Sequence, residues 1–498
     1  MRFLSLTALA LVAAASASAQ TPCTNGSADG YPCSRVGLYA HLPLATFATS
    51  GSPAPSEGND IWGWTDPETD REYALVGLRN GTAFVDVTTP EAPVFLGKLP
   101  TATNPSTWRD IKTYGTFAFV VSEAGGHGMQ VFDLTRLRNV TNPPQTFAAD
   151  ARYTGFGSAH NIVIDDVSGF AYGVGVSAST CGGQGLHMVD IRQPLAPTYA
   201  GCFDEDGYTH DAQCVVYNGP DTDHTGKQIC VASNEDTVTI VDVTDKSSPV
   251  QISRGFYPNP GYTHQGWFTE DQRYFIVDDE LDSSANGTRT IVMDLSDLDS
   301  PQYAFATIAD IPVRDHNLYV RGSHAFLSNY EGGTRIYDLA RIGDDEMTEV
   351  GFFDTYPQGN GGSFNGQWSN YPYFSSGVLI ANDGNNGLFV LSPDPAFVAS
   401  GVEPPIEVGP EGYALSDGKP NPSQGRVSFD LAVDARQQVS VDAYDLSGRL
   451  VAHVFSGAVG ADYTESFVLD GRSLPAGAYV VRVTGETFTA SRQAVLVR

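Results

Sequence analysis

The sequence predicts an all-β protein, and three observations carry that expectation. Short strands alternating apolar and polar residues recur about every 50 residues, in groups of four separated by turns rich in Gly, Asn, Asp and Pro. A polar pair opens each unit: Asn59-Asp60, Arg109-Asp110, His160-Asn161, His210-Asp211, His264-Gln265, His316-Asn317 and Asn365-Gly366. The third strand ends on an aspartate in Phe84-Val85-Asp86, Val131-Phe132-Asp133, Met188-Val189-Asp190, Ile240-Val241-Asp242, Val292-Met293-Asp294 and Ile336-Tyr337-Asp338; the last, Phe389-Val390-Leu391, lacks it. Seven four-stranded units of this length predict a seven-bladed β-propeller over residues 20–396. A β-helix needs far shorter repeats, and a row of sandwiches needs about twice as many residues per unit.

Taken in order, the chain begins with Arg2, an apolar run from Phe3 to Ala15 and the small-residue site Ala17-Ser18-Ala19, the pattern of a secretory signal peptide over residues 1–19. The apolar run is too short to span a bilayer as a retained anchor. The stretch from Val36 to Leu44 resembles the fourth strands Pro93 to Leu99 and Pro197 to Phe203, yet no first three strands precede it. The seventh unit in turn lacks a fourth strand. Residues 36–44 are therefore expected to complete that blade and close the ring, leaving no exposed edge there. Pro90, Pro194, Pro249 and Pro301 end the turns after third strands, where a residue without an amide donor stops a ladder. A Pro- and Gly-rich linker follows over residues 397–412. Residues 413–498 alternate as six strands between Gly-rich turns, the pattern of a small C-terminal β-sandwich.

The formal net charge is -30, from 28 Lys and Arg against 58 Asp and Glu, which argues against nucleic acid or an anionic membrane surface as a partner. No stretch beyond the signal reaches the length of a membrane-spanning helix. The six cysteines, Cys23, Cys33, Cys181, Cys202, Cys214 and Cys230, read as disulfides in an exported chain, with pairing between sequence neighbours as the simplest scheme.

The C-terminal unit resembles the type IX secretion sorting domain of Bacteroidetes-related bacteria. The matching residues are Pro420-Asn421-Pro422, Tyr444-Asp445-Leu446-Ser447-Gly448-Arg449, Leu474-Pro475-Ala476-Gly477-Ala478-Tyr479 and the final Val495-Leu496-Val497-Arg498. The resemblance implies type IX secretion machinery as a partner and a secreted or outer-surface address. The repeats are similar to LVIVD-repeat proteins, also called choice-of-anchor B proteins, through Thr239-Ile240-Val241-Asp242-Val243 and Ala83-Phe84-Val85-Asp86-Val87. That family implies extracellular placement and no established reaction.

In a propeller, the strand starts and the hairpins between second and third strands meet on one rim. The first set is His160, His210, His264 and His316; the second is Glu123, Glu235, Asp279, Glu280 and Glu331. Imidazoles from neighbouring blades with outer carboxylates are a donor set for a transition metal. The same residues serve equally as hydrogen-bonding ties between blades, a role that tolerates Asn59, Arg109 and Asn365 at equivalent positions. The loop Asp221-Thr222-Asp223-His224-Thr225-Gly226 loosely resembles a calcium loop without the distal glutamate, and also fits a solvated turn. The third-strand aspartates fit turn caps. Trp62, Trp64, Trp108, Trp267 and Trp368 lie near first strands, either as a platform at the channel mouth or as packing between blades. No G-x-S-x-G elbow, P-loop or H-E-x-x-H occurs. The expected function is a non-catalytic binding module for an extracellular protein or glycan. The alternative is a metal-dependent extracellular enzyme built on the four histidines.

Overall fold

The computed structural model describes residues 20–178, 181, 182, 184–282, 287–398, 408, 412–416, 418, 421, 423, 426–435, 437–446, 448–460, 465–471 and 474–497. The expected signal peptide, most of the expected linker, and Pro420, Pro422, Ser447 and Arg498 of the sorting motifs lie outside them. The chain divides after residue 400 into two compact units. Among the described residues no helix is long and apolar enough to cross a membrane.

In the first unit the described strands form seven antiparallel-based sheets. Their innermost strands are Gly58–Thr65, Arg109–Tyr114, Asn161–Asp165, Asp211–Val216, Thr263–Phe268, Asn317–Arg321 and Gln367–Tyr371. Each packs against the next, and Gln367–Tyr371 packs against Gly58–Thr65, so the row closes on itself. The apolar core lies in the seams. Tyr371, Ile380 and Val390 of the seventh sheet meet Ile61, Val76 and Val85 of the first, and Tyr172 and Met188 of the third meet Cys230 and Val241 of the fourth. The second and third strands are covered on both faces by neighbouring sheets, which is why Glu72–Leu78 is buried throughout despite its polar first residue, whereas an outer strand such as Gln302–Ile308 holds no buried residue.

The fourth strand of the seventh sheet is Val36–Leu42, antiparallel to Gly387–Pro393, with Leu38 facing Leu391 and Leu42 facing Leu388. Two additions lie at outer edges. Gln145–Thr146 runs parallel to Val94–Pro100, and the hairpin of Ser27–Ala28 with Tyr31–Ser34 adds to Thr348–Phe353. Both are too short to show a period in the sequence. The disulfides join Cys23 to Cys33, Cys181 to Cys202 and Cys214 to Cys230, all nearest neighbours. Cys214 faces Cys230 directly across the first two strands of its sheet.

The third-strand aspartates are turn caps. Asp86, Asp133, Asp190, Asp242, Asp294 and Asp338 each accept a hydrogen bond from the amide two residues on, at 2.8–3.0 Å. One residue before the cap the register slips, at Phe84/Val85, Met188/Val189, Ile240/Val241, Val292/Met293 and Ile336/Tyr337. Such a bulge increases local twist and turns the fourth strand away from the axis.

The second unit holds two sheets. One contains Tyr413–Leu415, Arg426–Val433 and Glu465–Asp470; the other contains Gln437–Asp445, Leu450–Val459, Gly477–Thr484 and Thr489–Leu496. Leu415, Phe429 and Phe467 of the first share an apolar cluster with Val441, Val481 and Leu496 of the second. The motif residues build its turns. Asn421 bonds the backbone of Gln493 and Val495, Asp445 pairs with Arg449 at 2.9 Å across a turn with Gly448 at φ +81°, and Tyr479 donates to the Pro475 carbonyl at 2.6 Å.

Candidate functional site

The inner face of the ring is built in layers, one residue from each innermost strand. The strand starts bring His160, His210, His264 and His316 to one cavity, together with Trp108, Arg109, Asn161, Asn317 and Trp368. Successive imidazoles stand 4.2, 4.1 and 4.5 Å apart between centroids. Below them lie Asp60, Asp110 and Asp211 with Lys112. Two positions further along, the aromatic rings close the axis: Lys112 stands 4.6 Å over Trp62, and Trp62 and Trp267 both touch Tyr319, at 5.6 and 5.0 Å.

All four histidines are engaged through Nδ1. His160 meets Glu123 at 2.6 Å, His210 donates to the His264 carbonyl at 2.9 Å, His264 meets Asp278 at 2.7 Å, and His316 donates to the Trp368 carbonyl at 2.5 Å. A proton on Nδ1 leaves the Nε2 lone pair available. Burial pushes His210 well below its ordinary value and His264 and His316 down to about 3, with the neighbouring rings adding to the effect, so these three are neutral imidazoles at pH 7.

The amide residues behind them are ties between sheets. Asn161 donates to the His210 carbonyl at 3.3 Å and Asn317 to the Trp368 carbonyl at 3.2 Å, while Asp110 accepts from the Ile162 amide at 2.8 Å. The layer also holds a buried charge cluster. Lys112 Nζ lies 2.6 Å from Asp110. Burial alone would lower Lys112, but Asp110, Asp60 and Asp211 hold it above its ordinary value. Burial and the Asp110 charge raise Asp60 well above the usual carboxylate range.

The predicted carboxylates divide. Glu123 reaches His160, Glu280 lies 3.9 Å from His316 Nε2 and accepts from the Tyr330 hydroxyl at 2.5 Å, and Glu235 sits exposed beside Tyr262. Asp279 and Glu331 of the expected rim set are held by hydrogen bonds from neighbouring loops. Asp279 is fully buried and accepts from Tyr257 and from the amides of Gly261 and Tyr262; Glu331 holds the loop at Gly361 and Ser363. The bonds to Asp279 come from the segment ahead of Thr263–Phe268 and those to Glu331 from the loop ahead of Gln367–Tyr371. The tryptophans divide likewise: Trp108, 45 % exposed, and Trp368 line the cavity, Trp62 and Trp267 fill the axis, and Trp64 stacks on Tyr73.

Trp368, not Asn365, holds the seventh place in the histidine column. A register slip between Gln367 and Ser369 leaves Trp368 unpaired at the rim, as a slip between Thr263 and Gln265 leaves His264. Asp278 and Tyr330 are not among the residues the sequence singles out, though Asp278, adjacent to Asp279, carries a signal there; Trp368 is read from sequence only as one of five tryptophans near first strands. In the Asp221 loop, Asp221 accepts from the amides of Asp223 and Leu298, and His224 Nε2 meets Asp299 at 2.9 Å, so an imidazole ties two turns where a calcium loop would gather oxygens.

Comparison with known proteins gives two family matches: residues 420–497 match the secretion system C-terminal sorting domain, and residues 225–254 match the LVIVD repeat. No curated protein matches the chain. Among solved structures, a protein from Lactobacillus plantarum is 12% identical, with 83% of this chain and 100% of that one covered and a TM-score of 0.43. The extracellular domain of a hybrid two-component system from B. thetaiotaomicron is 11% identical, with 93% and 59% covered and a TM-score of 0.43. The C-terminal WD40 domain of Sif2 is 9% identical, with 68% and 96% covered and a TM-score of 0.42. At these scores the likenesses say nothing of function. Residues 225–254 thus carry an LVIVD repeat within an all-β fold of mostly four-stranded antiparallel sheets, and residues 420–497 a secretion system C-terminal sorting domain.

Proposed function

We propose that the chain is an exported, non-catalytic binding module: a signal peptide over 1–19, a seven-bladed β-propeller over 20–396 closed by its N-terminal strand, a linker over 397–412, and a sorting β-sandwich over 413–498 that delivers the propeller to the outer surface or the medium. The observation that carries the binding role is the cavity shared by Trp108, Arg109, the four histidines and Trp368. Arg109 gives the ligand a character. It is 2 % exposed, its Nε donates to the Leu78 carbonyl at 3.0 Å, its Nη1 meets His127 at 3.2 Å, and its Nη2 has no partner. Burial lowers its pKa to about 9. A buried guanidinium without a carboxylate, in a chain with 58 acidic residues, favours an extracellular protein or glycan that brings the anionic group itself.

Panels of acidic and neutral polysaccharides and peptides test this on the purified mature chain. Acidic members should bind, and Trp108→Ala, on an exposed side chain, should weaken them about tenfold or more. Equal binding of neutral counterparts, or acidic binding that Trp108→Ala leaves intact, sinks the reading. The address has its own test. A chain ending at residue 412 should accumulate inside the outer membrane; secretion at the full-length level would contradict the role of the sorting unit.

A further inference from the structure

We infer that His264, His316 and Glu280 form a binding site for one borderline transition-metal dication, of the zinc or ferrous class, at the head of the ring. One donor atom from each lies within 4.8 Å of the other two. His316 Nε2 and Glu280 Oε1 are 3.9 Å apart. That is too long for a hydrogen bond; an ion held at about 2.0–2.1 Å with tetrahedral angles sets two ligands about 3.3–3.4 Å apart, so a closing of roughly half an ångström seats it between them.

The second shell of such a site is already in place. His264 holds Asp278 through Nδ1 and His316 holds the Trp368 carbonyl through Nδ1, so both rings present Nε2 as a lone pair. Glu280 is fixed by the Tyr330 hydroxyl. His264 is 1 % and His316 4 % exposed, which leaves little water to compete for those nitrogens. His210 and His160 continue the arc, but their ring nitrogens fall outside the set within 4.8 Å among the described residues. The first-expected four-histidine site thus narrows to two imidazoles and a carboxylate, a donor set that leaves coordination positions open.

A charge argument points the same way. Asp278 is fully buried, and its Oδ2 has no hydrogen-bond partner. Among the described residues, the ion pairs of Asp278 and Glu280 are with His264 and His316 alone; Arg314 Nη1 reaches the Glu280 backbone carbonyl at 2.8 Å but forms no ion pair with its carboxylate. A buried carboxylate with one oxygen unpaired is costly unless a positive charge or a proton compensates it. A dication on the far nitrogen of His264 supplies that charge through the ring, the carboxylate–histidine–metal arrangement.

This inference goes beyond the binding role and stands or falls separately, since the acidic-ligand panel can be run with chelator present. The test uses the mature chain, stripped with chelator and titrated with Zn2+ alone and, anaerobically, with Fe2+ alone. One equivalent should bind. Glu280→Gln, which keeps the shape and an acceptor for Tyr330, should weaken binding about tenfold or more, and Asp278→Asn about 10–100-fold as an outer-shell change. His453→Ala, in the second unit, should bind as wild type. Co2+ loading gives a readout independent of stability: the ligand-field absorption of the wild type should shift in Glu280→Gln. No stoichiometric ion, or an ion whose affinity and Co2+ spectrum survive Glu280→Gln and His316→Ala together, overturns the site.

Discussion

A mature chain beginning at residue 43 is expected to lose its folded first unit, the largest effect any change to this molecule should have. Among the described residues the strand Val36–Leu42 supplies the outer neighbour of Gly387–Pro393, so its removal leaves a row of unpaired amides and carbonyls. It also withdraws Val36, Leu38 and Leu42, all buried, from the seams on either side of the seventh sheet. Three such side chains account for about 5–9 kcal/mol of burial. That matches the whole net stability of an ordinary domain, about 5–15 kcal/mol. The His41 ring, stacked 4.2 Å from Phe389, goes with them. The truncated chain should elute as aggregates or oligomers without a cooperative thermal transition, and a synthetic peptide of residues 20–44 added during refolding should restore a monomer. A truncated monomer that melts near the full-length temperature would show that the ring does not depend on this strand.

The backbone plan was legible in the sequence because it is periodic. A polar strand start, a third strand closing on aspartate and a turn ending in proline recur often enough for the units to be counted. The sorting unit was legible for another reason: its motif residues, such as Asp445 with Arg449 and Tyr479 with Pro475, make local turns that depend on those residue types. What escaped is what breaks the repeat. Trp368 takes the histidine place through a one-residue slip that spacing cannot reveal. Glu331 and Glu280 look alike in sequence, yet the first is bound by the loop ahead of Gln367–Tyr371 and the second faces His316, a distinction made by Gly361, Ser363 and Tyr330. A repeat predicts where side chains gather. Which of them stay free to meet a ligand depends on non-repeated loops.

Lys112→Met should destabilise the first unit by about 3–5 kcal/mol at neutral pH, the usual cost of removing one partner from a buried ion pair. Lys112 is the cation of a layer holding Asp60, Asp110 and Asp211, and it touches Asp110 at 2.6 Å while packing its charge over Trp62. Methionine preserves most of the packing, so the loss is electrostatic. Its pH dependence follows from Asp60. Burial and Asp110 raise its folded-state value well above the 3.8 of the free group, and Lys112 opposes that rise. A raised carboxylate contributes fully below its unfolded value, and the contribution is lost as pH rises through the folded value. Asp211, raised by burial to about 7, is held down by Lys112 in the same way, so removing Lys112 raises Asp60 and Asp211 further, and the deficit of the variant should be largest near pH 8 and shrink toward pH 4, where these two carboxylates are protonated. Urea midpoints followed by tryptophan fluorescence at about pH 4, 6 and 8 measure this. Adding Asp110→Asn to Lys112→Met should recover part of the loss, since the carboxylate then left unpaired is gone. A deficit that is the same at every pH, or a double variant no better than the single one, would mean that Lys112 acts by filling space beneath Trp62 and that its charge contributes nothing to the layer.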